Sequence, residues 1–377
     1  MTTPAISFSA ESLSGELRQF TQEMFAGLPR VDQRRWGRTY IEGLLTVSGR
    51  KSIRRLAEAM DMPEAAHGLH QFINASPWDW LPVRRALLHW AEERIRARAW
   101  VIAPAALPRR GEHCAGVHHR FVPALGRTVN CQVGIGVFLA GGRATVPVDW
   151  RLLLPGRWAQ DAQLRERARI PADLPAGTVV GHALELVDSL TAESGSARLP
   201  LVADLTGEQG TGWLLRALKA RRHDFLVAVP DSLPTRTRPG PVLGARDVLR
   251  LEGTRTIPLG GGPARILTRP VGLPGADADL PACRLFTVSD PTAPGPGRLW
   301  ITNMVRESPE RLCRLAAKAD VTPTVDALTG EFGMTAFEGR SYPGWHHHMT
   351  LVSAAFAFDC LRKAADEPLT PVLRTAA

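Results

Sequence analysis

Apolar positions recur at helical spacing through the first hundred residues and gather into short dense runs after them. Ile53, Leu56, Ala57 and Met60 fall at i, i+3, i+4 and i+7, and Leu81 to Ala99 keeps a similar period with frequent arginine. Residues 1–98 are therefore expected to form an all-helical domain. Within it, the stretch from Arg50 to Ile73 predicts two helices joined by a turn at Asp61 to Pro63, a helix-turn-helix-like spacing with Pro63 in the first turn of the second helix. That second helix would carry His67, His70, Gln71 and Asn74 on one stripe, side chains able to touch bases or phosphates. A small helical bundle with a polar face explains the same pattern.

From about residue 100 the texture becomes β. AWVIAPAAL, CAGVHHRFVPAL and NCQVGIGVFLAGG are three β-favouring runs, expected to start an antiparallel sheet. A helix at Val180 to Leu190, the strand LPLVAD, a helix at Gly212 to Arg222 and the strand DFLVAVP then alternate, which predicts a mixed sheet with helices outside it. Residues 231–297 are rich in Pro and Gly and predict an inserted β-rich lobe. The core is expected to resume at RLWITNM and to close with helices over SPERLCRLAAKAD and from Trp345 to Ala364. The expected division is 1–98 helical, 99–230 first part of the core, 231–297 insertion and 298–377 last part of the core. The class is α/β.

Charge narrows the partners. The 377 residues carry 46 Lys and Arg against 37 Asp and Glu, a net charge of +9, and the isoelectric point is about 10.0. That balance favours a polyanion, duplex DNA first. Lysine occurs only at 51, 219, 318 and 363; the arginine excess suits bidentate phosphate contacts and follows equally from a GC-rich coding sequence. In the helical segment Arg34, Arg35, Arg38, Arg50, Lys51, Arg54, Arg55, Arg84 and Arg85 are the expected footprint on DNA. Five cysteines, none spaced as CxxC, argue against a disulfide framework or a zinc ribbon. No run approaches a membrane span and the N-terminus lacks signal-peptide character, so a cytoplasmic, nucleoid-associated protein is expected. Three adjacent histidines, His346 to His348, point in different directions on a helix and cannot share one metal ion; they are expected to be a feature of the sequence block they sit in, with contact to DNA phosphate as one use for them.

Four blocks then stand out in order: NCQVGIGVFL (130–139), VDWRLLLPGRWAQD (148–161), LVADLTG (201–207) and FEGRSYPGWHHHMTLVSAAFAF (337–358). Together with RKSIRRLAEAM and LHQFINASPWD they resemble the DDE transposases of bacterial insertion sequences, in the group named after insertion sequence seven-oh-one. The resemblance covers nearly the whole chain. It implies an RNase H-like core and a DNA strand transferase in which three carboxylates hold two Mg²⁺ ions. Such a metal pair takes hard oxygen ligands and stabilises the attacking and leaving oxygens of an in-line phosphoryl displacement.

The chain departs from that pattern. Where the family has Asp-Asp-Thr-Gly, a basic pair and Gly, this sequence has Ala103-Pro104-Ala105-Ala106, then Arg109, Arg110 and Gly111. The second acid is kept as Asp204. The third falls on Thr322, with Lys318 and Thr329 at the flanking basic positions, and Pro323 is expected to interrupt a helix there. With Pro104 and Thr322 where acids are expected, the resemblance implies a degenerate transposase, a pseudoenzyme that binds DNA, with no cofactor. The alternatives are a domesticated regulator or transposition inhibitor, acting as a homodimer or co-assembled with active transposase, and an active Mg²⁺-dependent enzyme rescued by Asp149, Asp326, Glu331 or Glu338. Besides Asp204, the candidate site residues are Arg50, Lys51, Arg54, Arg55, His67, His70, Gln71, Asn74, Arg109, Arg110 and Arg340 for DNA.

Overall fold

A computed structural model describes residues 5–194, 198–237, 240–259, 263–275, 283–289 and 297–366. Five helices come first: α1 (Ala5–Phe25), α2 (Val31–Thr46), α3 (Ile53–Ala59), α4 (Ala65–Asn74) and α5 (Leu81–Arg94). Ser52 starts α3 by accepting a hydrogen bond from the Arg55 amide, and a proline in the first turn starts α5. The α3–α4 turn holds Asp61 at φ 52°. Pro63 lies just ahead of α4, outside its first turn.

The strands β1 (Ala99–Pro108), β2 (His118–Val122), β3 (Arg127–Ala140) and β4 (Thr145–Leu152) follow. Then come α6 (Arg157–Gln160), α7 (Ala162–Arg167), α8 (Val179–Glu193), β5 (Leu201–Asp204), α9 (Thr211–Ala220) and β6 (Phe225–Val229). The order β4-β3-β1-β5-β6, with β3 antiparallel to both β1 and β4 and with β5 and β6 parallel to β1, is the RNase H-like arrangement. The expected second strand, CAGVHHRFVPAL, contributes only β2, a short edge strand beside β3. The place of the third core strand is taken by β4, whose apolar alternation lies inside the VDWRLLL block.

The Pro/Gly-rich segment contains β7 (Pro234–Arg236), β8 (Val242–Gly244), α10 (Ala245–Arg250), β9 (Arg255–Pro258), β10 (Arg265–Val271) and β11 (Cys283–Ser289). β7 and β8 form a separate hairpin, whereas β9 to β11 extend the main sheet through β12 (Leu299–Thr302), which pairs antiparallel with β6. Three helices close the fold: α11 (Pro309–Ala316), α12 (Thr322–Gly330) and α13 (Tyr342–Asp366). Thr322 opens α12 and Pro323 sits in its first turn, so the proline begins the helix; its missing N–H belongs to the group that has no helical partner anyway.

The helix α13 is the keel. It packs on β4 with one side and on α2, α4 and α5 with the other. One continuous apolar core, from Phe20 and Phe72 through Trp150 to Phe358, joins the helical segment to the sheet.

Its three consecutive histidines are buried and point, 100° apart, at three different elements. His346 Nδ1 meets the Arg84 guanidinium of α5 at 3.0 Å. His347 has Nδ1 at 2.8 Å from the Ile73 carbonyl at the end of α4, Nε2 at 2.8 Å from the Trp78 carbonyl, and its ring stacked on Trp78. His348 bonds the Tyr40 hydroxyl of α2 and the Gly333 carbonyl. The expectation that they touch DNA phosphate is corrected: they bolt the helical segment to α13, and burial pushes His347 and His348 down to about 4 and His346 well below its ordinary value.

Candidate functional site

The carboxyl end of the central strands is where an open α/β sheet presents its chemistry. Asp204 ends β5 there. Its Oδ1 accepts from the Thr206 amide at 3.2 Å and from the Thr206 hydroxyl at 2.9 Å, and its Oδ2 is ion-paired with Arg298. The β1–β5 register pairs Ile102 with Ala203, so the next step sets Ala103 beside Asp204. Neighbours in register share a face of the sheet, which makes Ala103, rather than the expected Pro104, the position a partner carboxylate would occupy.

Pro104 fits for a reason of its own. The Trp100 amide donates to the Pro200 carbonyl on the β5 side, and by alternation residue 104 would aim its N–H the same way, toward the last residue of β5 and away from β3. A proline there leaves the β1–β3 ladder intact and forfeits at most the last bond to β5.

The expected third position lies elsewhere. The Thr324 hydroxyl reaches the Thr145 carbonyl and Lys318 Nζ approaches the Gly142 carbonyl, both at the β3–β4 turn beside the Ala99 end of β1, whereas Asp204 stands beside Ala103 in the middle of that strand. Thr322 therefore does not join Asp204. Nor do the four acids considered for rescue. Asp149 is clamped by Arg84 at 2.6 Å and Arg151 at 3.3 Å; Glu338 faces Arg50 at 3.8 Å; Asp326 and Glu331 are exposed on and just after α12. Among the described residues no group of three or more His, Cys, Asp or Glu could hold a metal ion. A carboxylate with both oxygens engaged, and with no acid beside it on β1, does not suit the Mg²⁺ pair, which asks for several free anionic oxygens.

The proposed DNA-facing residues divide. Arg50, Arg54, Arg55, His67, His70, Gln71, Arg110 and Arg340 are exposed. Lys51 is turned inward, its Nζ donating to the Leu44 carbonyl at 2.7 Å and to the Val47 carbonyl, so it closes the end of α2; burial lowers its pKa. Arg109 bonds Gln132 at 2.6 Å and the Thr335 and Phe337 carbonyls at 2.9 Å, a clasp between β1 and the loop before α13. Arg84 is buried against Asp149, the Trp150 carbonyl, Thr350 and His346. Asn74 also faces inward, with Gly339 so close that a Cβ there would lie 1.9 Å from Asn74 Oδ1. Lys51, Arg84 and Arg109 are thus corrected from DNA contacts to internal fastenings, and Asn74 to a half-buried residue packed against Gly339. Polar and charged groups at helix ends and strand ends find backbone carbonyls, which sequence spacing alone does not reveal.

The same packing brings in residues that the sequence reading missed. Arg169, at φ 56°, donates to the Asn74 carbonyl at 2.7 Å and stands exposed beside the end of α4. Arg120 pairs with Glu208, whose pKa burial raises, and Arg246 pairs with Asp231 at 3.0 Å. Only the strand pairing of β6 with β12 puts Arg298 near Asp204, 94 positions away in the chain.

A family model described as "DDE superfamily endonuclease" matches residues 23–243, from the end of α1 to β8. The chain belongs to the DDE superfamily endonucleases. This DDE-superfamily chain keeps Asp204 inside the matched region, while the segment carrying Arg298 and Thr322 lies beyond it. No curated protein matches the chain. Among solved structures it is similar to the piggyBac transposase in a cryo-EM structure of its synaptic complex with hairpin DNA, at 12% identity and a TM-score of 0.39, over 96% of this chain and 80% of that one. Among the described residues of this DDE-superfamily member, no helix is long and apolar enough to cross a membrane.

Proposed function

We propose that this chain is a transposase-family DNA-binding protein of insertion-sequence origin, in the group named after insertion sequence seven-oh-one, that holds duplex DNA without cutting it. One observation carries the reading. Beside Asp204 the neighbouring strand offers Ala103 and then Pro104, with no carboxylate, and Asp204 itself is taken by Arg298. In-line phosphoryl transfer by a metal pair needs several carboxylates converging on one point.

DNA binding is supported by the net charge of +9 and by the exposed set on one end of the helical segment. Arg54 and Arg55 on α3, and His67, His70 and Gln71 on α4, supply phosphate and base-edge donors; Arg50, Arg169 and Arg340 flank them. A binder of this kind would compete with an active transposase for element ends, or join it there.

The test uses the purified full chain in a duplex-DNA mobility shift and in a plasmid nicking assay with Mg²⁺ or Mn²⁺, with Asp204→Ala alongside. The expected result is a salt-sensitive shift and intact plasmid for both proteins. Divalent-dependent nicking that Asp204→Ala abolishes would overturn the proposal.

A further inference from the structure

Three acids gather at the carboxyl ends of β5 and β6, and each is met by an arginine: Asp204 by Arg298, Glu208 by Arg120 and Asp231 by Arg246. Two of the three arginines come from the segment inserted between β6 and β12. Arg298 is delivered by a built arrangement. Gly297 runs so close to β11 that a Cβ on it would lie 2.0 Å from the Val288 carbonyl oxygen, so any larger residue would push the strand away. The Arg246 guanidinium donates to the Gly297 carbonyl at 2.7 Å, and the Thr287 hydroxyl donates to the Arg298 carbonyl at 2.9 Å. The backbone is thereby anchored on both sides of the residue whose side chain reaches Asp204. A cleft of about 500 Å³ opens at this point, lined by Thr206, Pro230, Asp231, Arg246, Arg298 and Leu299.

A divalent ion in such a place would neutralise carboxylate and phosphate together. A guanidinium does a related job at fixed charge: it is always protonated, and its planar fork of five N–H donors can serve a carboxylate on one edge and a phosphate oxygen on another. The Arg298 side chain is 54% exposed although it is paired with Asp204, which is 22% exposed, so part of the fork faces the cleft. We infer that Arg298 is a built-in cation that has taken over the electrostatic place of a metal, and that it grips a DNA backbone phosphate in this cleft with no divalent ion. The inference rests on the DNA-binding reading above and goes beyond it by naming the grip.

The experiment titrates fluorescent duplex DNA with the full-length wild type, Arg298→Ala, Arg298→Lys and Asp204→Asn, in EDTA and in Mg²⁺ at matched ionic strength, over a range of salt. The wild type should bind equally in both buffers. Arg298→Ala should lower the slope of log K against log salt by about 0.9, which at 0.1 M salt is about eightfold in affinity, and Arg298→Lys should keep the slope. Asp204→Asn removes the carboxylate that competes for the guanidinium, so it should tighten binding severalfold, the opposite of what removing a metal ligand does. Wild-type affinity that rises more than tenfold with Mg²⁺, or an Arg298→Ala protein with wild-type slope and affinity, would overturn the inference while leaving DNA binding intact. A wild type that binds DNA in no buffer would overturn the DNA-binding reading and this grip with it.

Discussion

Arg84 of α5 reaches Asp149 of β4 at 2.6 Å with its side chain only 4% exposed, so the helical segment and the sheet share a buried ion pair. Burial lowers the Arg84 pKa while Asp149 opposes that shift, and the remaining donors are spent on the Trp150 carbonyl, Thr350 and His346. Removing one partner of such a pair leaves an uncompensated charge, at a typical cost of about 3–5 kcal/mol. Because Arg151 also touches Asp149, Arg84→Ala should cost about 3 kcal/mol, at the lower end. Urea unfolding of the variant is the check; a loss under 1 kcal/mol would mean that the pair does not join the two parts.

Acid should loosen the same junction. In the unfolded chain His346, His347 and His348 titrate near 6.5, whereas burial pushes His347 and His348 down to about 4 in the fold and His346 well below 6.5. The unfolded state binds more protons in that interval, so the contribution of these neutral rings is fully present above pH 6.5 and is lost as pH falls toward 4. A plot of unfolding free energy against pH should therefore drop between 6.5 and 4, and His348→Gln should flatten part of the drop. A level profile there would contradict the neutral, buried assignment.

Lys51 and its neighbours on α3 should respond in opposite ways. Lys51→Met removes the cation that closes α2 on the Leu44 and Val47 carbonyls, and should cost about 1.5–3 kcal/mol of stability with little change in DNA affinity at saturation of the folded state. Arg54 is paired with Glu58 on the surface, and its loss together with Arg55 should leave the melting temperature within a degree or two. That double change to Ala should lower the DNA salt slope by about 2. Differential scanning fluorimetry and anisotropy on the same samples separate the two effects.

The Asp204 end can be turned back toward metal binding. Ala103 is the register neighbour of Asp204, so Ala103→Asp combined with Arg298→Ala would set two carboxylates side by side with the competing guanidinium gone. Calorimetry should then detect Mn²⁺ binding that the wild type and either single variant lack. Failure of the double variant to bind Mn²⁺ would show that the strand ends are too far apart, or too rigid, for one ion.

How much of this was legible in the sequence follows from which interactions are local. The helix periods at 53–60 and 81–99, the run LPLVAD and the turn at Asp61 depend on neighbours in the chain, and they locate α3, α5, β5 and the α3–α4 turn, although α5 ends at Arg94 and Ala99 already opens β1. The place of β4 in the core did not show, because its alternation sits inside a block prominent for its tryptophan and arginines. At the site, Asp204 could be found from its strand end, but its neighbour could not: choosing Ala103 over Pro104 needs the β1–β5 register, which a one-residue slip reverses. Arg298 was invisible for a stronger reason, since only the pairing of β6 with β12 brings it to Asp204. Charged residues were the least legible of all. Lys51 and Arg109 read as surface cations, and whether such a side chain faces water or a ring of carbonyls depends on the tertiary fold.

Because α13 is packed between α2, α4 and α5 on one side and β4 on the other, the helical segment and the sheet are held together by one shared core. The span from the α4 surface to the Asp204 end is therefore set by the protein's shape, like the jaw width of a fixed caliper. A duplex that touches both must fit that span, and sequences that deform cheaply to fit it would be gripped in preference to stiff ones even where no side chain reads a base.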